Sequence, residues 1–231
     1  MEKAQATRPL ISLIVPVWGD DDLLAALVNR LPSSPELLEW VVAAVDPSAT
    51  LRELENRGDI RLVACGIPSR GRQLNAGAAE ARGSLLCFHH ADSELLPEHV
   101  SALVKVAADE AIGGGAFHRR FDKRHGWMMR WEATARGLSA VAGPLFGDQS
   151  LFVRTDVFKR LGDFADIPLM EDIEFSSRLR RLTRVKLLDP PLDLRHAVST
   201  VWEIGALGIS PDTLHRWYYR GRRKAGGAGS G

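Results

Sequence analysis

Short apolar runs alternate with longer amphipathic stretches through the first half of the chain. The short runs are continuous in their apolar character, which is typical of strands buried on both faces of a sheet. They are residues 11–17, 40–45, 60–64 and 85–88. Between and after them, apolar spacing, an Ala-rich stretch and the stop or start residues Gly58, Gly83 and Pro97 predict helices. These helices are expected over residues 23–31, 51–57, 72–82 and 97–108.

Strands that alternate with helices require crossover connections, so the pattern predicts an α/β fold with a mostly parallel central sheet. The second half of the chain is less regular. It predicts strands over residues 116–121, 147–153 and 185–188, and helices over residues 127–138, 156–161 and 173–182. Two short helices are expected within residues 198–219, and the Gly-, Ala- and Ser-rich residues 225–231 are expected to form a flexible tail.

The composition excludes several classes of protein. Of the 231 residues, 45% are hydrophobic and 26% are charged, as in an average globular protein. A net charge of +1 excludes a nucleic-acid binder that works through bulk charge. Cys65 and Cys87 lie in or beside apolar runs, which favours free thiols in a reducing compartment. No apolar run suits a signal peptide or a membrane span of about 20 residues, so we expect a cytoplasmic protein.

The C-terminal region contains a basic and aromatic segment. Residues 214–224 contain five basic residues and no acid, with Trp217, Tyr218 and Tyr219 among them. Such a segment suits a peripheral contact with an anionic membrane surface. It equally suits a helix that docks on the core of its own chain. The sequence leaves both interpretations open.

The loops that follow the strands are the first candidates for function, because ligands bind at the carboxyl ends of strands in an open parallel sheet. Asp92 follows the fourth strand, and its carboxylate could hold Mg²⁺ together with substrate phosphates, or cap a turn. His90 could be a second ligand, which would suit Mn²⁺ better. Since His89 and His90 alternate across the strand, at most one of them faces the site.

Three further groups of polar residues have two interpretations each. Glu171, Asp172 and Glu174 begin a helix, where acids favour the macrodipole, but one of them could act as a general base. Arg70 and Arg72 begin the third long helix, which indicates either an anion site or a solvated turn. Asp46 follows the second strand and could cap a turn or accept a hydrogen bond from a nucleobase. Asp20, Asp21 and Asp22 are expected to cap the first helix.

Motifs for other chemistries are absent from the sequence. It contains no Walker loop and no GxGxxG fingerprint, which disfavours nicotinamide and flavin chemistry. It also contains no GxSxG elbow, no HExxH motif and no paired CxxC.

In their order along the chain, these features resemble the family 2 glycosyltransferases, which have the GT-A fold. Over residues 10–190, four groups of motifs carry the resemblance. They are Ile11-Ser-Leu-Ile-Val-Pro-Val-Trp18; Gly71-Arg-Gln-Leu-Asn-Ala-Gly77 with Ala81-Arg-Gly83; Phe88-His-His-Ala-Asp92-Ser-Glu-Leu95; and Gly147-Asp-Gln-Ser-Leu-Phe-Val-Arg154 with Leu161-Gly-Asp-Phe164 and Met170-Glu-Asp-Ile-Glu-Phe175. The chain is most similar to the compact bacterial subgroup associated with radical-SAM and selenium-related genes.

The resemblance implies a Rossmann-like GT-A domain over residues 1–224. Its nucleotide-binding half would span about residues 10–110, its acceptor half about residues 111–190, and its C-terminal helices about residues 197–224. It implies inverting transfer from a nucleotide-diphosphate sugar, with a UDP-sugar favoured, to an acceptor hydroxyl. A nucleotidyltransferase and a catalytically inert nucleotide-sugar-binding module are the alternatives.

The same resemblance implies roles for individual residues. Asp172 would be the general base, with Glu171 orienting the site, and Gly147 and Asp148 would line the acceptor side. Mg²⁺ or Mn²⁺ would be held by Asp92 and His90. The nucleotide sugar would be bound by Pro16, Val17, Trp18, Asp46, Arg72, Asn75 and Asp92.

Two departures from the family pattern stand out. The first acid of its DxD metal motif is His90 in this chain, and no Gln-x-x-Arg-Trp follows the Glu-Asp pair. The second departure favours a single transfer over polymerisation.

Overall fold

A computed structural model describes residues 10–31, 33–34, 36–121, 145–167 and 169–194. The helix predicted over residues 127–138, the C-terminal helices and the basic segment 214–224 lie outside the described residues. No helix within the described ranges is long and apolar enough to cross a membrane.

The described residues form seven strands and six α-helices. The strands are β1 (Ile11–Val17), β2 (Leu38–Val45), β3 (Ile60–Cys65), β4 (Leu85–Phe88), β5 (Gly114–Phe121), β6 (Leu151–Arg154) and β7 (Val185–Leu194). The helices are α1 (Asp21–Arg30), α2 (Ala49–Leu54), α3 (Arg70–Glu80), α4 (Pro97–Ala107), α5 (Thr155–Leu161) and α6 (Glu171–Leu182). Two short 3₁₀ turns cover Glu55–Arg57 and Gly147–Gln149.

The strands form one sheet in the order β3-β2-β1-β4-β6-β5-β7. β1 pairs in parallel with β2 and β4, β2 with β3, and β5 with β7, whereas β6 is antiparallel to both of its neighbours. The predicted α/β class with a mostly parallel sheet is therefore confirmed. The helices that connect parallel strands cover the sheet, which explains why the strand sequences are apolar on both faces.

Burial alternates along β1 between two hydrophobic layers. Leu13 and Val15 pack on one face with Trp40 and α4, whereas Ile14 packs on the other face with residues of α3, α5 and α6. All three side chains are fully buried. The two layers hold the carboxyl ends of the strands in fixed positions.

The structure corrects two predicted strands. Residues 147–149 form a 3₁₀ turn instead of a strand, and β6 begins only at Leu151, after Ser150 at a positive φ of 51°. β7 is longer than predicted, because it continues through Pro190 and Pro191 to Leu194. It is an edge strand, where proline is tolerated.

Candidate active site

Strand pairing brings two distant loops together at one edge of the sheet. Phe88 of β4 pairs with Leu151 of β6, and the two strands are antiparallel. The loop that leaves β4 therefore lies beside the turn Gly147–Gln149 that enters β6. The parallel strands β1 and β2 end at the same edge.

A pocket at this edge is shared by the two halves of the chain. Arg70 of α3 and the loop after β4 contribute to one side, whereas the 147–149 turn and Asp172 of α6 contribute to the other. Its lining residues are Arg70, Leu74, Phe88, His89, His90, Gly147, Leu151, Phe164 and Asp172. Phe88 and Phe164 meet edge to face at 4.8 Å between centroids, and Phe164 stacks on Phe175 at 4.2 Å. Phe88, Phe164 and Phe175 thus form an aromatic cluster next to the polar groups of the pocket.

Arg70 lies at the centre of the polar groups. It is the first residue of α3, and its Nε lies 3.2 Å from Glu171 Oε1. A terminal nitrogen of its guanidinium contacts His90 Nε2. The side chain of Glu171 is only 4% exposed, and the charge of Arg70 helps to compensate its buried carboxylate. The pair joins α3 to α6 across the pocket.

His90 is neutral in this arrangement. Burial and the neighbouring Arg70 hold the pKa of His90 well below its ordinary value. Because a guanidinium only donates hydrogen bonds, Nε2 of His90 is the acceptor in the contact with Arg70. The ring proton then lies on Nδ1, which is 4.0 Å from Asp92 Oδ1.

Asp172 is fixed by backbone donors. Its Oδ2 accepts a hydrogen bond of 2.6 Å from Gly147 N–H, and its Oδ1 accepts one of 2.8 Å from Ile173 N–H. These bonds orient the carboxylate toward the pocket wall formed by the 147–149 turn. Asp172 therefore accepts from a backbone N–H in the first turn of α6 and also lines the pocket.

Asp148 is the next acid along the turn. Burial raises the pKa of Asp148, and the nearby charge of Asp172 raises it further, whereas Arg119 lowers it. Arg119 lies at 3.8 Å between its Nη1 and Asp148 Oδ2. Asp148 therefore holds a proton more readily than an exposed aspartate does.

The nucleotide-facing candidates lie at the ends of the first two strands. Pro16 and Val17 end β1, Trp18 follows them, and Asp46 follows β2. Asp46 is exposed and has a positive φ of 50°, a conformation that aspartate tolerates better than most residues. Gln73, which the sequence analysis did not single out, bridges these strand ends by donating to Val17 O at 3.0 Å and Ala43 O at 2.8 Å.

Arg72 and Asn75 do not line the pocket, and each has a structural partner. Arg72 forms an exposed ion pair of 2.6 Å with Asp166. The side chain of Asn75 donates to Phe164 O and accepts from Phe164 N–H, both at 2.9 Å. From the other side, Arg178 of α6 donates to Leu161 O at 2.7 Å and to Asp163 O at 2.8 Å. The segment between α5 and α6 is thus held by two helices.

Helical spacing could have distinguished Arg70 from Arg72 in advance. Arg70 and Leu74 are four residues apart and both line the pocket, as expected for one face of a helix. Arg72, halfway between them, projects from a different face. The apolar Leu74 was the signal in the sequence that marks Arg70 as the inward residue.

His89 lines the pocket together with His90, so the prediction that at most one of the two histidines faces the site is wrong. It is fully buried, with Nδ1 at 2.5 Å from Ser150 Oγ and Nε2 at 3.3 Å from Ser93 O. Burial lowers the pKa of His89 to about 4. His89 is a neutral core residue that connects the two loops of the site.

The side chains around His90 do not suit a metal ion. Nε2 of His90 is occupied by Arg70, and Nδ1 carries the proton, so neither nitrogen offers a lone pair to a cation. Among the described residues, no three His, Cys, Asp or Glu side chains are grouped so that they could hold a metal. Asp92 stays a predicted single carboxylate ligand.

Comparison with solved structures shows what the architecture is similar to. The mannosyltransferase PcManGT from Pyrobaculum calidifontis, in complex with GDP-Man and Mn²⁺, has a TM-score of 0.66 at 18% identity, with 92% of this chain and 70% of that one covered. S. aureus TarS 1–349 with UDP-GlcNAc has a TM-score of 0.64 at 16% identity, with coverages of 88% and 63%.

A third structure is similar over most of its length. Glucosyl-3-phosphoglycerate synthase from Mycobacterium tuberculosis, in complex with Mn²⁺ and UDP-Glc, has a TM-score of 0.59 at 18% identity. The match covers 92% of this chain and 77% of that one. A comparison with curated protein sequences finds no match.

The sheet and its flanking helices define a protein of the GT-A fold class. The family model described as glycosyl transferase family 2 matches residues 12–167, more than half of the chain. The chain belongs to glycosyl transferase family 2. The predicted subgroup and the predicted division into two halves stay predictions.

Proposed function

We propose that the protein transfers a glycosyl group from a nucleotide-diphosphate sugar to an acceptor hydroxyl, with inversion at the anomeric carbon. The observation that carries this proposal is the shared pocket, in which the Asp172 carboxylate and the Arg70 guanidinium line one cleft at the carboxyl edge of the sheet. Neighbouring structures hold GDP-Man, UDP-GlcNAc and UDP-Glc, which supports a donor of this chemical class. We favour a UDP-sugar.

The donor would lie over the ends of β1, β2 and β4. Pro16, Val17 and Trp18 would form the base-binding edge, and Asp46 would accept a hydrogen bond from the nucleobase. The exposure of Asp46 supports this role. Gln73 would keep the floor of the site rigid, since its amide connects the ends of two strands.

Further residues of the donor side contribute less directly. Asn75 would keep Phe164 in the pocket wall, and Arg72, which pairs with Asp166 at the surface, stays a predicted residue of the donor side. Asp92 would face the diphosphate from the β4 loop. The predicted metal site of Asp92 and His90 does not fit the engaged nitrogens of His90, so we derive no step through an ion.

Asp172 would act as the general base. As the acceptor oxygen attacks the anomeric carbon, its proton passes to the Asp172 carboxylate. The bond between that carbon and the diphosphate oxygen breaks, and the nucleoside diphosphate leaves with the electron pair. Backbone hydrogen bonds from Gly147 and Ile173 keep the base aimed at the attacking oxygen.

Asp148 and Gly147 would line the acceptor side. The carboxyl of Asp148 would hydrogen-bond an acceptor hydroxyl, and its raised pKa means that it takes up a proton more readily than an exposed aspartate does. Glu171 would hold Arg70 in place through their ion pair.

Asp172→Asn tests the proposal directly. Release of nucleoside diphosphate from UDP-GlcNAc, UDP-Glc and GDP-Man is measured first in the wild type, with water as the acceptor if no alcohol is known. The variant should bind nucleotide with unchanged Kd and lose about 100-fold or more in rate. The matched control is Glu174→Gln in the same helix, whose carboxylate pairs with Arg178 outside the pocket and should leave the rate unchanged.

The same assay separates the alternative functions. Release of pyrophosphate instead of nucleoside diphosphate would identify a nucleotidyltransferase. Donor binding without release of either product would identify an inert binding module. A native rate for Asp172→Asn would refute the assignment of the base.

A further inference from the structure

We propose that Arg70 takes the place of a divalent ion in holding the donor diphosphate, so that this chain binds its nucleotide without metal. The inference rests on the proposed function, because it concerns the same pocket. It starts from one contact, the guanidinium of Arg70 against Nε2 of His90. A nitrogen that accepts from Arg70 cannot also coordinate a cation, so the two arrangements exclude each other.

The position of Arg70 is built into the fold. Gly147 lies so close to the guanidinium that a Cβ there would collide with it. Glu171 holds Nε at 3.2 Å from the opposite side. Residues of α3, α6 and the 147–149 turn thus surround the guanidinium of Arg70, which lies beside His90. In the family pattern, position 90 is an acid that would bind the metal.

The chemistry of the side chain suits a diphosphate. A guanidinium is permanently charged, and its planar fork of N–H donors matches phosphate oxygens. The side chain of Arg70 is 33% exposed, so a ligand in the pocket reaches it. An aspartate at position 90 would place a second carboxylate on Arg70 in addition to that of Glu171, whereas the imidazole of His90 adds no negative charge there.

The neighbouring acids Asp172 and Asp148 have partners in addition to Arg70, whose charge also acts on Asp148. Asp172 accepts from two backbone N–H groups, and Asp148 faces Arg119. Among the described residues that line the pocket, Arg70 is the side chain with a permanent positive charge.

Isothermal titration calorimetry of the full chain with UDP and GDP tests the inference, once with Mn²⁺ and once with EDTA. We expect the wild-type Kd to agree within about threefold between the two conditions. Arg70→Gln should raise Kd by about 10- to 100-fold in both, as expected for losing hydrogen bonds to a charged group. The control is Arg61→Gln, because Arg61 is equally exposed at 35% and pairs with Glu80 at the far end of α3.

His90→Asp provides an independent variant. It places a carboxylate beside Asp92, so Mn²⁺ should tighten nucleotide binding by about tenfold in this variant and not in the wild type. Thermal unfolding of each variant checks that the chain is folded. If Arg70→Gln does not fold, the wild-type and His90→Asp comparisons still decide.

The outcomes separate this inference from the proposed function. Wild-type binding that needs Mn²⁺, or an Arg70→Gln variant that binds as tightly as the wild type, overturns the inference and leaves the glycosyl transfer standing. No gain from Mn²⁺ in His90→Asp also overturns it. No binding of either nucleotide in either condition overturns both proposals.

Discussion

At the scale of single residues, position on a helix decides which of two similar side chains serves the pocket. Arg70 and Arg72 are two residues apart, and the first contacts His90 whereas the second pairs with Asp166 at the surface. Successive positions in a helix are rotated by about 100°, so two residues apart means nearly opposite sides. Chemical type alone therefore did not identify which of the two arginines lines the pocket.

His89 makes the stability of the fold depend on pH. Its pKa is about 4 in the folded protein and 6.5 in an exposed histidine, so the unfolded chain binds more protons between these values. The stabilisation is complete above the unfolded pKa and is lost as the pH falls toward the folded one. Linkage gives a loss of about 2 kcal/mol in the free energy of unfolding from pH 7 to about pH 5.

Urea unfolding of the wild type and of His89→Gln measures this effect. The glutamine amide does not titrate and still offers a donor to Ser93 O and an acceptor to Ser150 Oγ. The free energy of unfolding of the wild type should fall by about 2 kcal/mol relative to that of His89→Gln between pH 7 and about pH 5. Equal pH slopes for both proteins would show that His89 does not carry the dependence.

At the scale of elements, the close approach of α3 to β1 sets the position of Arg70. A Cβ on Gly77 would lie 2.6 Å from Ile14 Cγ2 and 3.7 Å from Ala43 Cβ. Gly77→Ala therefore forces α3 away from the sheet. Overpacking costs about 1–3 kcal/mol, and the better helix propensity of alanine returns up to about 1 kcal/mol.

We expect Gly77→Ala to lower the free energy of unfolding by about 1–2 kcal/mol in urea titrations. Gly66→Ala is the control, because a Cβ at Gly66 meets nothing within 4 Å. Its effect should stay within about 0.5 kcal/mol. Equal stability of the two variants would mean that α3 moves without cost.

The elements were largely predictable because burial on both faces leaves a strong apolar signal. β1 and β4 have the predicted bounds, and the helices differ by one or two residues at most ends. Residues 147–149 were predicted to belong to the strand, because the apolar residues that follow continue the strand pattern. The turn depends on the left-handed conformation of Ser150, which the pattern does not show. β7 was cut short at its prolines, because tolerance of proline at a sheet edge depends on strand order.

The contacts of the site were less predictable than its location. The carboxyl edge of the sheet follows from topology, and the motifs that resemble the family placed Asp172 and His90 there. The contact between Arg70 and His90 joins residues from separate elements, and it depends on the missing side chain of Gly147. The pattern of residue types along the chain does not show which side chains from separate elements come into contact.

At the scale of the whole molecule, the pocket draws its lining from both halves of the chain. Arg70 and His90 come from the first half, and Gly147 and Asp172 from the second. A ligand that binds this pocket stabilises only the state in which both halves are folded together. At about 100 times its Kd, UDP should raise the free energy of unfolding by about 2.7 kcal/mol.

Differential scanning calorimetry with and without UDP checks this expectation. A single transition that moves to higher temperature is expected, because neither half retains the pocket alone. Arg70→Gln serves as the control and should need more UDP for the same shift. Two separate unfolding transitions, of which UDP shifts only one, would show that the two halves of the chain do not share the pocket.

The side chains of Asn75 in α3 and Arg178 in α6 bind backbone atoms of Leu161, Asp163 and Phe164 at the end of α5 and in the segment that follows it. Substitutions within that segment would not remove these backbone atoms. These hydrogen bonds from two helices fix the position of Phe164 in the pocket lining. Separation of the segment from α3 would break the two Asn75 hydrogen bonds, and separation from α6 would break the hydrogen bonds of Arg178. If the proposed function holds, we expect substitutions in the pocket lining, and not changes in the length of this segment, to alter selectivity among donors.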